Sequence, residues 1–289
     1  MCKYVINCLL VVLLVVAFSG NTFADQAAGE KNVVTDISSL KDRIASEMKT
    51  LLANDVRDHA KMMKELKKAG ASYIPKLTTP LSKASAVKDK DTQRILWGMY
   101  SFDTAYATMF GKKKEMAERI RACDDLARSL NLSASVMPAM KKLAQKKGQI
   151  TIDDVTDTLA KEIEAVLPQI SDKPKDVEFW ADAAYGGVVQ GIYIVTELIA
   201  ANDYRPEMLA LLSSQKEHLS FLEAVELFKP HSKAGKMAQY CKRFQALEPI
   251  HQILLNKNTY TKDDCEKARA LITKVRNQIL AAKPDGDCE

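Results

Sequence analysis

Two apolar stretches of the chain each contain one polar side chain that could take part in chemistry. The stretch Trp97–Gly111, WGMYSFDTAYATMFG, contains Asp103, and the stretch Tyr185–Tyr193, YGGVVQGIY, contains Gln190. A carboxylate in such a place can orient a ligand or act as an acid or a base. The candidate ligand-binding residues are these two side chains and the tyrosines around them: Tyr100, Asp103, Tyr106, Tyr185, Gln190 and Tyr193.

A structural role would explain the same residues, and it is the role that we favour. A buried carboxylate or amide without a hydrogen-bond partner costs several kcal/mol, so Asp103, Gln190 and the neighbouring tyrosines would have to satisfy one another. Polar residues in the cores of helical bundles commonly specify the packing of the helices. A ligand site would be a concave pocket lined by these side chains, whereas a structural role requires a filled core there.

Other sequence motifs do not indicate catalysis, a metal or a cofactor. The four histidines are scattered, no two of them are four residues apart, and the patterns HExxH, GxSxG, GxGxxG and the P-loop are absent from the sequence. Methionine pairs such as Met62 and Met63 are typical of core filling. We therefore predict no catalytic residue, no metal site and no cofactor, and a protein that is not an enzyme.

Glycine and other small residues follow helical spacing in both apolar stretches. In the second stretch, Gly187 and Gly191 are four residues apart. A glycine inside a helix costs about 1 kcal/mol relative to alanine, so it commonly marks the close approach of another backbone. Because faces of small residues let helices approach closely, we expect the two helices to pair at the centre of the molecule. The predicted helix-packing residues are Gly98, Gly187 and Gly191.

The spacing of apolar residues predicts an all-α fold. They recur at intervals of three and four along most of the chain, and no stretch alternates strictly as a strand would. We expect a multi-helix bundle of about eight or nine helices around the two central glycine-containing helices. Asp89 or Asp91 is the expected N-cap of the first central helix. Thr151–Asp154 and Thr261–Asp264 resemble capping boxes with aspartate in place of glutamate.

The same pattern predicts the organisation of the chain after residue 24. Residues 25–289 should form a single helical domain, with a crossover loop at 71–90 and a flexible tail at 285–289. Proline interrupts the apolar pattern at several of the expected helix ends, and Pro249 is expected to kink a helix. The predicted helices cover 36–69, 91–110, 112–130, 135–147, 151–167, 177–201, 206–228, 236–256 and 261–283, and the first of these is either one long helix or two with a break near Asn54 and Asp55.

Residues 1–24 have the features of a secretory signal peptide. Lys3 is followed by the apolar run Leu9–Phe18 and by the small residue Ala24, after which we expect cleavage. The run is shorter than the roughly 20 residues of a membrane-spanning helix. Cys8 precedes the run, where it cannot serve as a lipoprotein cysteine. We therefore expect a periplasmic protein, exported through a cleaved signal peptide, with no stable membrane span afterwards.

Charge and cysteine content narrow the range of partners and cross-links. The formal net charge of +5 is spread along the chain without aromatic interleaving, so we expect no nucleic-acid partner. After signal cleavage Cys123, Cys241, Cys265 and Cys288 remain, an even number that permits disulfides in an oxidising compartment. If the last two helices form a hairpin, Cys241 and Cys265 are offset by about 15 Å, too far for a bridge. The pairing otherwise stays open.

The two apolar stretches resemble the motifs of a family of uncharacterised all-helical bacterial exported proteins and lipoproteins. GMYSFDTAYA is similar to the family's G-x-Y-x-x-D-x-x-Y-A, and GGVVQGIY is similar to its G-G-x-x-E-G-L-Y. The resemblance covers roughly residues 97–199 and implies a helical fold and export, because no activity is assigned to the family. The chain departs from the family pattern at Gln190, where an acid is usual, and it lacks a lipobox. The first departure weakens the idea of two carboxylates that bind a cation or perform acid–base catalysis.

These observations favour an exported, soluble helical-bundle protein that is a non-enzymatic binding or scaffold module. Two alternatives stay open. One is a small-ligand-binding, sensor-type protein with a pocket between the two central helices, and the other is an enzyme with an unfamiliar site around Asp103. The partner is unknown, and both a periplasmic protein and a small molecule are candidates.

Overall fold

Helices make up most of the regular structure of this protein. The computed structural model describes residues 61–131, 174–215, 234–255 and 259–281, together with isolated positions from 142 to 161 and residues 219 and 257. These residues contain no strand, and the all-α prediction is confirmed for them. They belong to one unit, Ala45–Glu289, whereas a second unit, Met1–Ile44, lies outside the described residues and includes the predicted signal peptide.

We number the α-helices in chain order. A 3₁₀ turn, Pro75–Leu77, separates the first two. The helices are α1 (described over 61–68), α2 (Ser82–Ala86), α3 (Lys90–Met109), α4 (Lys113–Ser129), α5 (Pro174–Ala201), α6 (Pro206–Leu209), α7 (Ala234–Leu255) and α8 (Lys262–Ala281). Most of the helices predicted at 135–147 and 151–167, and the predicted tail at 285–289, lie outside the described residues.

The predicted caps are present at the starts of the helices. Asp89 precedes α3, and its Oδ2 accepts a hydrogen bond from the Thr92 backbone N–H at 2.7 Å. At the start of α8, Asp264 Oδ2 accepts from the Thr261 N–H at 2.9 Å, and the Asp264 N–H donates back to Thr261 Oγ1 at 3.2 Å. Thr151 and Asp154 form the same reciprocal pair. These caps satisfy N–H groups that have no partner inside the helix.

The helices α3 and α5 pair more extensively than any other two described helices. A Cβ atom added to Gly98 would lie 1.8 Å from the carbonyl oxygen of Ala183, and one added to Gly186 would lie 2.0 Å from that of Ile95. Because both contacts are with backbone atoms, only glycine fits at the crossing. The two helices therefore touch backbone to backbone, and α4 packs on α3, α8 on α5 and α7 on α8 around them.

The tight glycine of α5 is adjacent to the one that the sequence pattern predicted. At Gly187 a Cβ atom would lie 3.8 Å from the Gly98 carbonyl oxygen, an ordinary van der Waals contact, whereas Gly186 has no such space. Gly191 is buried further along the same helix. Adjacent residues of an α-helix lie about 100° apart around the helix axis. The spacing of glycines within one helix does not determine which of two adjacent glycines faces the other helix.

Most of α5 is apolar enough to cross a membrane by length and composition alone. The segment is Ala181–Ala201, and 72% of the window that meets this test is buried inside the protein. We expected no segment after residue 24 to be long and apolar enough to span a membrane, and by length and composition this expectation was wrong. Burial on this scale is typical of the central helix of a helical bundle, which is apolar all round.

Several predicted element boundaries differ from those observed. The crossover loop at 71–90 contains the 3₁₀ turn and α2. The helix α5 begins at Pro174 and not at 177, since proline is well tolerated in the first helical turn. The predicted helix 206–228 is interrupted after Leu209 by a turn at 210–211. The helix α7 begins at Ala234 and not at 236, and it continues through Pro249 as predicted.

Candidate functional site

Residues 74–80, which we call the central loop, lie among the helices α3, α4, α5 and α8. Leu77, Thr78 and Thr79 are 2%, 6% and 0% exposed. Buried backbone N–H and C=O groups must find partners, and a loop has few partners within its own backbone. Here side chains from α3, α5 and α8 supply them, a side chain from α4 binds the Thr78 hydroxyl, and Pro75 and Pro80 have no N–H to satisfy.

Asp103, fully buried in the middle of α3, connects the central loop to α5. Its Oδ2 accepts a hydrogen bond from the Thr79 backbone N–H at 2.7 Å, and its Oδ1 accepts one from Gln190 Nε2 at 2.7 Å. Both carboxylate oxygens are therefore engaged by donors from within the protein. The hydrogen bond between Asp103 and Gln190 joins the two polar residues that stood out in the sequence.

Gln190 extends the connection to the last helix. Its Nε2 also donates to the carbonyl oxygen of Leu77 at 2.9 Å, and its Oε1 accepts from Arg276 Nε at 2.8 Å. Arg276 Nη2 lies 3.3 Å from the carbonyl oxygens of both Leu77 and Thr78. These partners define the orientation of the Gln190 amide, because reversing it would place donors against donors.

Two tyrosines and a second arginine hold the remainder of the central loop. Tyr106 Oη accepts a hydrogen bond from the Ile74 N–H at 2.8 Å, and the Tyr100 hydroxyl donates to the Pro80 carbonyl oxygen at 2.7 Å. From α4, Arg119 Nη2 donates to Thr78 Oγ1 at 2.7 Å. The loop is thus fixed at both ends and in its middle.

Burial dominates the electrostatics of this network. It raises the pKa of Asp103, against the opposing effects of hydrogen bonds from Thr79 and Gln190 and of the charge on Arg119. Burial also raises the pKa values of Tyr100 and Tyr106, and it lowers that of Arg276. The tyrosine hydroxyls therefore stay neutral near neutral pH and serve as hydrogen-bonding groups.

The structure brings four of the six candidate residues to the central loop and leaves two elsewhere. Tyr100, Asp103, Tyr106 and Gln190 all bind it, and all four are 0% exposed. The ring of Tyr193 instead lies under the Arg276 guanidinium, 4.2 Å from its carbon. For Tyr185, burial raises the pKa to about 12, and the strongest opposing charge is that of Arg243 on α7. Neither tyrosine contributes to the hydrogen bonds of Asp103 or Gln190.

Sequence reasoning missed the arginines of the network, Arg119 and Arg276. Arg276 follows Ile272 by four residues on the face of α8 that is buried, and this break in an apolar pattern was a usable signal. Their partners were not predictable, because residues 77 and 276 are far apart in the chain.

A second buried ion cluster was also missed. The side chain of Asp182 on α5 is 0% exposed and binds Arg94 Nε and Arg243 Nη1, each at 2.6 Å. Burial raises its pKa, while the two arginines oppose that rise. Asp182 is a charged residue within the apolar run of α5. The same feature, a charged residue among apolar neighbours, identified Asp103 as a candidate. It links α5 to α3 and α7.

Neither cysteine with a described side chain forms a disulfide. Cys123 and Cys265 are free and buried, and burial raises the pKa of each thiol to about 12. The side chains of Cys241 and Cys288 lie outside the described residues, so their pairing stays a question for experiment. Among the described residues no group of three or more His, Cys, Asp or Glu side chains is placed to hold a metal ion.

No protein-family model, curated protein or solved structure matches this chain. A functional interpretation therefore rests on the geometry of the site.

Proposed function

We propose that this chain is an exported, periplasmic helical-bundle protein that acts as a non-enzymatic binding or scaffold module. Membership of the exported helical family that the two motifs resemble is part of the same proposal. The signal-peptide pattern of residues 1–24 supports export. The hydrogen bonds that Asp103 accepts from Thr79 and Gln190 support the non-enzymatic role.

The hydrogen bonding of Asp103 is the observation that carries the proposal. A general acid or base needs a carboxyl oxygen within hydrogen-bond reach of its substrate. Both oxygens of Asp103 instead accept hydrogen bonds from Thr79 and Gln190, and the residue is 0% exposed. A ligand at this place would have to displace the central loop. The arrangement is that of a side chain that stabilises a buried loop.

Thermal unfolding in the presence of fractionated periplasmic extract tests the binding role. We expect the fraction of large molecules to raise the melting temperature of wild type and of Asp103→Asn by the same amount, because Asp103 lies in the interior and not on a binding surface. Without extract, Asp103→Asn should melt at a lower temperature than wild type.

Two other outcomes would reject the proposal in favour of its alternatives. Stabilisation of wild type alone by the fraction of small molecules, with both proteins equally stable without extract, would indicate a ligand-binding sensor. Mass spectrometry of the retained molecules would then identify the ligand. Consumption of a small molecule from that fraction by wild type, and not by the variant, would indicate an enzyme.

Expression of the full-length chain in a bacterial cell tests export separately. We expect the protein in the periplasmic fraction, with Asp25 as its first residue by intact mass. A protein that stays in the cytoplasm or keeps residues 1–24 would contradict the proposed compartment without affecting the binding role.

A further inference from the structure

Four exposed lysines lie close together where α1, α3 and α4 meet. We call them the lysine cluster, and they are Lys67 near the end of α1 and Lys112, Lys113 and Lys114 at the start of α4. Lys67 Nζ donates a hydrogen bond to the carbonyl oxygen of Met109, the last residue of α3, at 3.0 Å. Lys112 Nζ in turn lies 5.7 Å from the centre of the Tyr73 ring, which follows α1. Two separate parts of the chain therefore contribute cations to one surface.

The backbone that carries the three lysines of α4 has a defined conformation. In the turn after α3, Gly111 has a φ of 67°, and the N–H groups of Gly111 and Lys112 donate to the carbonyl oxygens of Thr108 and Ala107 at 2.9 and 2.8 Å. The helix α4 begins directly after this turn, at Lys113. The Cα–Cβ bonds of a helix lean toward its N-terminus, so the side chains of its first turn project past the helix end. The three lysines therefore extend together from one end of α4.

Lysine is unfavourable for stability at this place in a helix. The N-terminus of a helix carries a partial positive charge, so cations there destabilise it, and a Ser, Thr, Asp or Asn side chain is the preferred N-cap. The N-cap residue of α4 is Lys112, which makes no capping hydrogen bond with its side chain. In the described part of the chain no carboxylate lies within salt-bridge distance of Lys67, Lys112 or Lys114. Residues that break a local rule without a gain for the fold are expected at functional sites.

The composition of the lysine cluster indicates the kind of anion that it fits. All four cations are lysines, which are point charges on flexible stems. Sites that recognise one carboxylate or one phosphate favour the planar fork of arginine, and protein–protein interfaces are depleted of lysine. A diffuse negative surface requires no fixed geometry, and clusters of about four or more basic residues are typical of proteins that bind anionic lipid headgroups.

Two glutamates reduce the positive charge of this surface without cancelling it. Glu65 on α1 and Glu115 on α4 are the acidic residues closest to the lysine cluster along the chain. Glu115 is half-buried in the first turn of α4, where a carboxylate stabilises the helix. Removal of its charge should therefore strengthen the attraction of the lysine cluster for an anionic partner.

We propose that the lysine cluster docks this protein onto a lipid bilayer that contains anionic phospholipids, as a peripheral contact and not as a membrane span. The ammonium groups and the positive end of α4 face the lipid phosphates, and the helices remain folded. This inference rests on the proposed binding role and names one partner for it. It is measured with synthetic vesicles and not with extract, so its failure is distinguishable from failure of the binding role itself.

Flotation with vesicles tests the docking. The purified protein is used in its exported form, without residues 1–24, because their apolar run would itself bind lipid. The vesicles contain phosphatidylcholine alone or an equal mixture of phosphatidylcholine and phosphatidylglycerol. We expect binding to the anionic vesicles only, at a salt concentration of roughly 0.1 M. Binding should be lost at roughly 1 M salt, because the Debye length decreases from about 10 Å to about 3 Å.

A triple variant tests whether the lysine cluster is responsible. Substitution of glutamine for Lys112, Lys113 and Lys114 together should weaken binding at least ~30-fold, since each lysine near an anionic surface contributes about 5-fold. The triple variant should melt no lower than wild type, because it removes cations from a helix N-terminus. Glu115→Gln should tighten binding about 2- to 5-fold, which provides a readout that does not depend on the folding of the triple variant.

The matched control removes the same charge from another helix. Lys262, Lys267 and Lys274 are exposed on α8, and replacing all three by glutamine should weaken binding less than ~3-fold. Equal weakening by the two triple variants would overturn the proposal, because net charge and not the lysine cluster would then be responsible.

Three further results would also reject the proposed docking. They are equal binding to both kinds of vesicle, binding to neither kind, and a Glu115→Gln variant that binds anionic vesicles no more tightly than wild type. Binding to immobilised polyglutamate without binding to vesicles would assign the lysine cluster to an acidic protein and would exclude the lipid surface as its partner.

Discussion

Asp103 and its neighbours satisfy one another's hydrogen-bond donors and acceptors. A substitution that turns one acceptor atom into a donor should therefore change the stability of the protein. In Asp103→Asn, one carboxylate oxygen becomes an N–H₂ donor. The two positions that it can occupy face the Thr79 N–H and the Gln190 amide N–H₂, and both of these are donors. Gln190 cannot turn to help, because Leu77 and Arg276 hold its two ends.

We therefore expect Asp103→Asn to lower the free energy of unfolding by about 1–3 kcal/mol, because one buried donor loses its acceptor. Urea unfolding measures the change. Asp125→Asn is the matched control, since the Asp125 side chain is 64% exposed, and it should change stability by less than about 0.5 kcal/mol. An Asp103→Asn variant as stable as wild type would contradict the hydrogen bonds of Asp103 with Thr79 and Gln190.

The raised pKa of Asp103 predicts a pH dependence of stability. A carboxyl whose folded-state pKa lies above its unfolded value retains its proton more readily when folded, so stability decreases as the pH rises from about the reference value of 3.8 through the folded pKa. Asp103→Asn should remove this part of the slope, while the part due to Asp182 remains. Urea unfolding of both proteins from pH 4 upward, in about half-unit steps, provides the comparison. Parallel stability curves would mean that the pKa of Asp103 is not raised.

The amide of Gln190 both donates and accepts hydrogen bonds, so a carboxylate cannot replace it. In Gln190→Glu, a carboxylate oxygen replaces the nitrogen that now donates to Asp103 Oδ1 and the Leu77 carbonyl, so acceptor faces acceptor. We expect a loss of about 3 kcal/mol or more at neutral pH. The loss should diminish at acidic pH, where the two carboxyl groups can share a proton.

The double variant Asp103→Asn with Gln190→Glu is the control for this prediction. The amide introduced at position 103 can donate to the carboxylate introduced at position 190, so the double variant should be more stable than Gln190→Glu alone. A double variant that is less stable would show that the two side chains do not interact directly.

At the scale of the helices, the crossing of α3 and α5 depends on contact between their backbones. Gly98→Ala and Gly186→Ala would place a methyl group about 2 Å from a carbonyl oxygen of the facing helix, which has no flexible end that could move aside. We expect each substitution to cost about 3 kcal/mol or more and to lower the melting temperature by at least about 6 °C.

Gly187→Ala is the matched control on the same helix. Its added Cβ has an ordinary contact at 3.8 Å, and alanine favours the helix by about 0.5–1 kcal/mol, so the melting temperature should stay constant or rise. If Gly186→Ala and Gly187→Ala behaved alike, the observed rotation of α5 would be incorrect.

Local signals predicted the all-α class and most of the described helices, but not α2 or the turn after α6, whereas the site depended on distant contacts. Thr261 and, as one of two candidates, Asp89 were predicted as caps because capping bonds join residues two or three positions apart. The choice of Gly186 over Gly187 depends on how α5 is rotated against α3, which only packing decides. The partners of Asp103 include the backbone N–H of Thr79 in the central loop. Every residue except proline has a backbone N–H, so the residue types do not show which one binds a given side chain. The loop itself was predicted, but its burial was not, since its sequence is polar and rich in proline.

At the scale of the whole molecule, the central loop receives side chains from α3, α4, α5 and α8. A loop held in this way should open only when the helices separate. We expect the amide protons of Ile74 and Thr79, which donate to Tyr106 and Asp103, to exchange with solvent as slowly as amides in the middle of α3. Native-state hydrogen exchange measures both. Exchange in these amides that is as fast as in an exposed loop would mean that the loop opens independently.

The contact between Arg276 and the carbonyl groups of Leu77 and Thr78 also has a consequence for the timing of folding. The paired residues are separated by 199 and 198 positions, so a growing chain presents these carbonyls long before the arginine that satisfies them has been synthesised. Contacts between such distant parts form late and slow the overall reaction. A nascent chain therefore cannot complete the hydrogen bonds of the central loop until residue 276 has been synthesised. For a protein exported as proposed, this delay keeps the polypeptide loose enough to be threaded through a narrow translocation channel.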